Sequence, residues 1–119
     1  MAYKVDAKDL MLTALTTEIT HVGAHTGFPA TVGNEISGGE PAYARKAINW
    51  GDASEGEISA SNEPVFDIPG SNTTVAAIGF WSQLASGGTI YADADVTDET
   101  FANQGTYTIT SATLDLNAE

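Results

Sequence analysis

From residue 19 onward the chain consists of short segments rich in β-branched and aromatic residues. Clusters of Gly, Pro, Asn and Ser cut them at intervals of roughly ten residues. This spacing leaves room for turns between strands but not for the longer crossovers that parallel strands need. It predicts antiparallel pairing in a β-sandwich, jelly-roll-like, or in a small barrel. The predicted strands are "ITHVGAH" (19–25), "AYARKAINW" (42–50), "GEISAS" (56–61), "PVFDIP" (64–69), "TVAAIGFW" (74–81), "GTIYADA" (88–94) and "GTYTITSATLDL" (105–116), about seven in all.

The start of the chain follows a different rule. Leu10, Met11, Ala14, Leu15 and Ile19 recur at helical spacing, Asp6 is a candidate cap and Asp9 favours the dipole in the first turn. One short helix is predicted over 7–18. The organisation read from this is a single mainly β domain over 1–119, with an N-terminal arm and helix (1–18) and a β core (19–116). A chain of 119 residues buries roughly 65% of its unfolded surface, which suffices for one core.

The last strand reports on shape. Tyr107 and Ile109 share one parity, whereas Ala112, Leu114 and Leu116 share the other. A flat strand would turn its apolar set over halfway along, so a bulge or bend is predicted near Thr110 and Ser111.

Composition removes several functions. There is no cysteine, hence no disulfide framework, thiolate metal site or cysteine nucleophile. No apolar run approaches the ~20 residues of a membrane span, and no signal-peptide core is visible, so a soluble chain with its mature start near Met1 is expected. Lys4, Lys8, Arg45 and Lys46 are the only cations, all in the first 46 residues. Five carboxylates accompany them there and eleven follow, so the net charge of −12 divides into −1 and −11. Phosphate binding needs clustered cations, which argues against nucleic acid and anionic membranes as partners.

The candidate chemistry is thin. His21 and His25 share strand parity but stand about 13 Å apart along a strand, which favours structural or surface roles over joint metal binding. "DADVTDE" (93–99) gathers Asp93, Asp95, Asp98 and Glu99, a weak calcium candidate that lacks the EF-hand glycine and glutamate and reads as a solvated acidic loop. No phosphate loop and no G-x-S-x-G elbow occurs. The expectation is a protein that is not an enzyme and carries no cofactor.

Contact residues are the remaining candidates. Lys4 and Lys8 mark the arm. Alternation in 42–50 sends Arg45 to the Tyr43 side and Lys46 to the Trp50 side, so the two cations form no single patch, and each is expected to meet a carboxylate from the acidic remainder, within its own subunit or in the next. Phe80 and Trp81 fall on opposite faces of their strand. An outward Trp50 or Trp81 would be an anchor for a partner or a sugar ring; an inward one would fill the core.

The segments "ITHVGAHTG", "YARKAINWG" and "GTYTITSATLDL", with "PVFDIP", "GFW" and "GGTIYADADV" in the same order, resemble a family of small tailed-phage virion proteins labelled tail fibre or minor tail proteins. The resemblance runs from about Ile19 to Leu116. It implies a structural protein of the virion, assembled in the host cytoplasm and acting through contacts with copies of itself, in a trimer among other arrangements, and with other virion proteins. It also leaves open a capsid decoration subunit and a module for a host receptor or glycan. It brings no catalytic residues.

Overall fold

The computed structural model describes residues 2–85 and 87–117. It is mainly β, with one N-terminal helix and eight strands in antiparallel sheets that do not close into a barrel. Among the described residues no helix is long and apolar enough to cross a membrane.

Helix α1 spans Val5–Glu18, two residues longer at its start than the spacing predicts. Lys4, not Asp6, is the N-cap, and Asp6 lies in the first turn. The inward stripe also differs from the prediction. Leu12 and Ile19 are wholly buried, Lys8 and Leu15 are half-buried, and Leu10 is 71% exposed. Adjacent leucines cannot all face one way on a helix, and the stripe 8, 12, 15, 19 excludes Leu10 and Ala14. Two polar links hold the helix down: Asp9 Oδ1 accepts the Gly56 N–H at 2.8 Å, and Lys8 Nζ donates to Asn117 Oδ1 at 2.8 Å.

The strands are β1 (His21–His25), β2 (Lys46–Ala47), β3 (Glu57–Ser59), β4 (Val65–Ile68), β5 (Thr73–Trp81), β6 (Ile90–Phe101), β7 (Gly105–Thr108) and β8 (Thr113–Asp115). The main sheet has the order β2-β1-β5-β6, while β3 pairs with β8 and β4 with β7. Two expectations are corrected. Of the strand predicted over 42–50, only Lys46–Ala47 forms a strand, with an isolated bridge from Trp50 to Ala60, and Tyr43 and Arg45 turn their side chains to other work described below. The acidic segment 93–99 is not a loop but the middle of β6, the longest strand. Its Ala-Asp-Ala-Asp-Val alternation is the period-2 signal of a half-buried strand. The terminal segment breaks after Thr108 and resumes at Thr113, where the parity argument places a bend, and its two halves serve different sheets.

The core lies on one face of the main sheet. Val22 and Ala24 of β1 sit opposite Phe80 and Ile78 of β5, which in turn face Ala92 and Ala94 of β6. Ile48, Phe66, Ile68 and Ile109 close over them. Val75 joins the same cluster although its spacing from Ile78 is odd; the register with β6 is irregular between Val75 and Ala77, and irregular pairing adds twist.

Replacing Leu12 by Ala removes a fully buried side chain, so chemical denaturation should show a loss of about 2–4 kcal/mol. Leu10→Ala should stay within about 0.5 kcal/mol of the parent.

Candidate functional site

The opposite face of the main sheet would normally be covered by a second layer of apolar side chains. Here a polar cluster covers it. Gly23 of β1 pairs with Gly79 of β5, and on this face the row beside them holds His21 opposite Trp81 and His25 opposite Ala77. The glycine pair clears the sheet surface. A Cβ at Gly23 would come within 2.9 Å of Trp81 Nε1, and one at Gly79 within 2.6 Å of His25 Nε2. With those methyls absent, the indole and imidazole lie nearly parallel, 5.9 Å between centroids and 10° between planes. Both residues are wholly buried.

Their hydrogen bonds fix a tautomer. The Trp81 Nε1–H can only donate, and it does so to His25 Nε2 at 3.3 Å. His25 Nδ1 therefore carries the proton and donates to Asn34 Oδ1 at 2.9 Å. Asn34 in turn organises the loop after β1: its Oδ1 accepts from Thr31 N, and its Nδ2 donates to the carbonyls of Gly27 and Pro29. Asp93 Oδ2 accepts the Ala30 N–H at 3.0 Å, which ties the same loop to β6.

Arg45 stacks over the indole as well, its guanidinium carbon 3.4 Å from the ring centroid. It is 5% exposed. Nε and Nη2 donate to the two oxygens of Glu35, each at 2.9 Å, in a bidentate pair. Nη1 reaches the carbonyls of Gln83, Ala85 and Gly87 at 2.8–3.0 Å, so one cation gathers the connection between β5 and β6 from within.

Tyr43 completes the arrangement. Its hydroxyl donates to Glu35 Oε2 and accepts the Ala24 N–H, both at 2.8 Å. β2 is only two residues long, so beyond Val22 the outer edge of β1 lacks a strand partner. The Tyr43 hydroxyl and the Ile36 N–H, which bonds to the Ala24 carbonyl, take that place. Among the described residues no buried side-chain polar atom lacks a partner.

The electrostatics follow from this packing. Burial pushes the Glu35 carboxyl up, but the hydrogen bonds from Arg45 and Tyr43 and the Arg45 charge outweigh it and hold the group below its ordinary value of 4.5. The Tyr43 phenol is pushed well up, by burial first and then by the adjacent Glu35 carboxylate.

The sequence candidates are thus distributed as follows. Tyr43 and Arg45 converge on Glu35, in keeping with their shared side, and Arg45 finds its carboxylate within its own chain. Trp81 faces inward on the polar-cluster side. Trp50, half-buried, packs on the core side against Phe80 at 6.0 Å and donates its Nε1–H to the Ile19 carbonyl. Trp81 is thus wholly buried, and Trp50 keeps part of its surface exposed. Lys4 is exposed, Lys46 is half-buried in β2, and Lys8 is bonded to Asn117. Asp93 and Asp95 share one face of β6, with Asp98 and Glu99 exposed further along; among the described residues no three acidic or histidine groups converge to hold a metal ion. Glu35, Asn34, Gly23 and Gly79 were not singled out from sequence. Glycines inside a strand pattern do signal close approach, and Gly23 and Gly79 both carry that signal.

The groups of this cluster are hydrogen-bonded to one another and to loop backbone, so the polar centre of this β-rich fold holds its loops in place. The chain belongs to the family described as podophage GP4 fiber I protein gp80, whose model matches residues 10–117. No curated protein and no solved structure matches it.

Arg45→Met would leave the Glu35 carboxylate without its counter-charge and three carbonyls without this donor, and denaturation should record a loss of about 3–5 kcal/mol. The pH dependence has a definite sign. The Glu35 carboxyl sits lower in the folded chain than in the unfolded one, so its stabilisation is complete above the unfolded value and is lost as pH falls through the folded value. Thermal melts from neutral pH downward should therefore fall more steeply below about pH 4.5 for the parent than for Glu35→Gln, which starts lower and changes less.

Proposed function

We propose that the chain is a non-enzymatic structural subunit of a tailed-phage particle, associated with the tail and joined to copies of itself and to neighbouring virion proteins by surface contacts. The observation that carries this reading is the fibre-protein family match, which runs across helix, sheets and polar cluster alike. The site supports it chemically. Glu35, Arg45 and Tyr43 hold one another, and His25 is spent on Trp81 and Asn34, so none of these groups is poised to act on a substrate. Repetition of modest contacts in a particle gives durable attachment through high effective concentration, and closed symmetric oligomers are the usual form of such subunits.

Two measurements test this. Cryo-microscopy of the source particle should show density for the chain at the tail, in several copies. Density on the capsid shell would assign it a decoration role instead, and absence from the particle would overturn the proposal. Native mass spectrometry of the purified chain should show a defined homo-oligomer, and a monomer at all concentrations would remove the self-contact part of the reading.

A further inference from the structure

The main sheet ends at β6, and its outer side pairs with no strand among the described residues. The strand is 12 residues long and so presents an extended row of backbone donors and acceptors. Such edges are templates for an added strand unless something blocks them. β6 has no proline and no lysine to block it.

The side chains along this edge are sorted by face. The core-facing row, Ala92, Ala94 and Val96, is only half-buried, although its neighbours Ile78 and Phe80 in β5 are 3% and 4% exposed. A groove accounts for the difference. It has a volume of about 290 Å³, a floor of Ile78 and Phe80, one wall of Ala94 and Val96, and an opposite wall formed by the bend from Ile109 to Leu114. The other face of β6 carries Asp93 and Asp95, opposite Gly79 and Ala77, and the strand continues into Asp98 and Glu99.

We propose that this edge and groove accept an extended basic segment of another protein as a fifth strand of the main sheet. The added strand would place alternate small apolar side chains in the groove beside Ala94 and Val96. Its intervening lysines or arginines would lie beside Asp93 and Asp95, where opposite-charge cross-strand pairs are favourable. A second copy of this chain fits poorly. Pairing β6 with β6 sets carboxylates against carboxylates, and residues 47–119 hold no Lys or Arg; of the two segments that carry cations, 45–46 has its Arg45 buried and 4–8 is taken up by the start of helix α1 with Asp6 between its lysines. This inference extends the assembly role by naming a partner's chemistry, but it stands on β6 and is tested on the isolated chain, so its failure is distinct from absence of the chain from a particle.

The probe is a synthetic octapeptide of alternating Lys and Val. Fluorescence anisotropy should show binding that weakens as salt rises, and amide hydrogen exchange should show new protection confined to β6. An alternating Glu and Val peptide, and a Lys and Val peptide with a central Pro, should each bind roughly tenfold more weakly or worse. Asp95→Lys, at an exposed position, should weaken the basic peptide and strengthen the acidic one. A second variant, Ala94→Phe, fills the groove, and with its melt confirming a folded chain it should abolish binding. No binding, binding without protection of β6, equal binding of the proline-bearing peptide, or protection of β6 by self-association alone would each overturn the proposal.

Discussion

The contact between Arg45 and Trp81 is the constraint around which this chain is arranged. A guanidinium 3.4 Å above an indole must bring its five N–H donors into a space with little water, and an unpaired buried charge costs several kcal/mol. Each nitrogen is therefore given an acceptor: Glu35 takes two of them, and the connection between β5 and β6 takes the third. That requirement shapes the neighbours. Glu35 must stand beside β1, which the His25–Glu35 bridge achieves, and Gln83, Ala85 and Gly87 must turn their carbonyls inward. The indole itself reaches this position because the facing residues, Gly23 and Gly79, have no side chains to lift it off the sheet.

A buried ion pair of this kind contributes little net stability compared with a well-packed apolar layer, since desolvation offsets most of the attraction. Its effect is to select one arrangement among many. A leucine on this face would tolerate several loop conformations. Arg45 tolerates the one in which three carbonyls and a bidentate carboxylate meet it together, and the chain from Trp81 to Arg45 to Glu35 to Tyr43 passes that constraint to the edge of β1 at Ala24. The polar face fixes the loops, and the apolar face supplies the burial. The helix adds to the latter through Leu12 and Ile19.

Much of the fold was legible in the sequence because it is local. Alternation located the strands, the parity change located the break between β7 and β8, and the shared side of Tyr43 and Arg45 followed from spacing alone. The polar cluster was not legible as a whole. Glu35 lies ten residues before Arg45 in a segment that reads as loop, and the three carbonyls lie about forty residues after it; no local pattern marks a carbonyl as an acceptor. An arginine also reads as a surface residue by default, because its burial requires partners that only the tertiary structure supplies. The acidic segment 93–99 was misread for a different reason. Its carboxylates suggest a loop by composition, whereas the alanines and valine between them carry the strand period, and in a half-buried edge strand the period prevails.

The cations show how closely fold and surface charge are linked. Among the described residues the one ion pair is Glu35–Arg45, and Lys8 is bonded to Asn117. Asn117 is neutral, so Lys4, Lys8 and Lys46 are left to face the remaining carboxylates of a chain with net charge −12. The segment after β2 supplies eleven carboxylates and no Lys or Arg, so the chain as a whole carries a net negative field, which opposes close approach of copies at low ionic strength. Any contact between copies would accordingly favour apolar surface, and a contact rich in charge would draw its cations from a different protein.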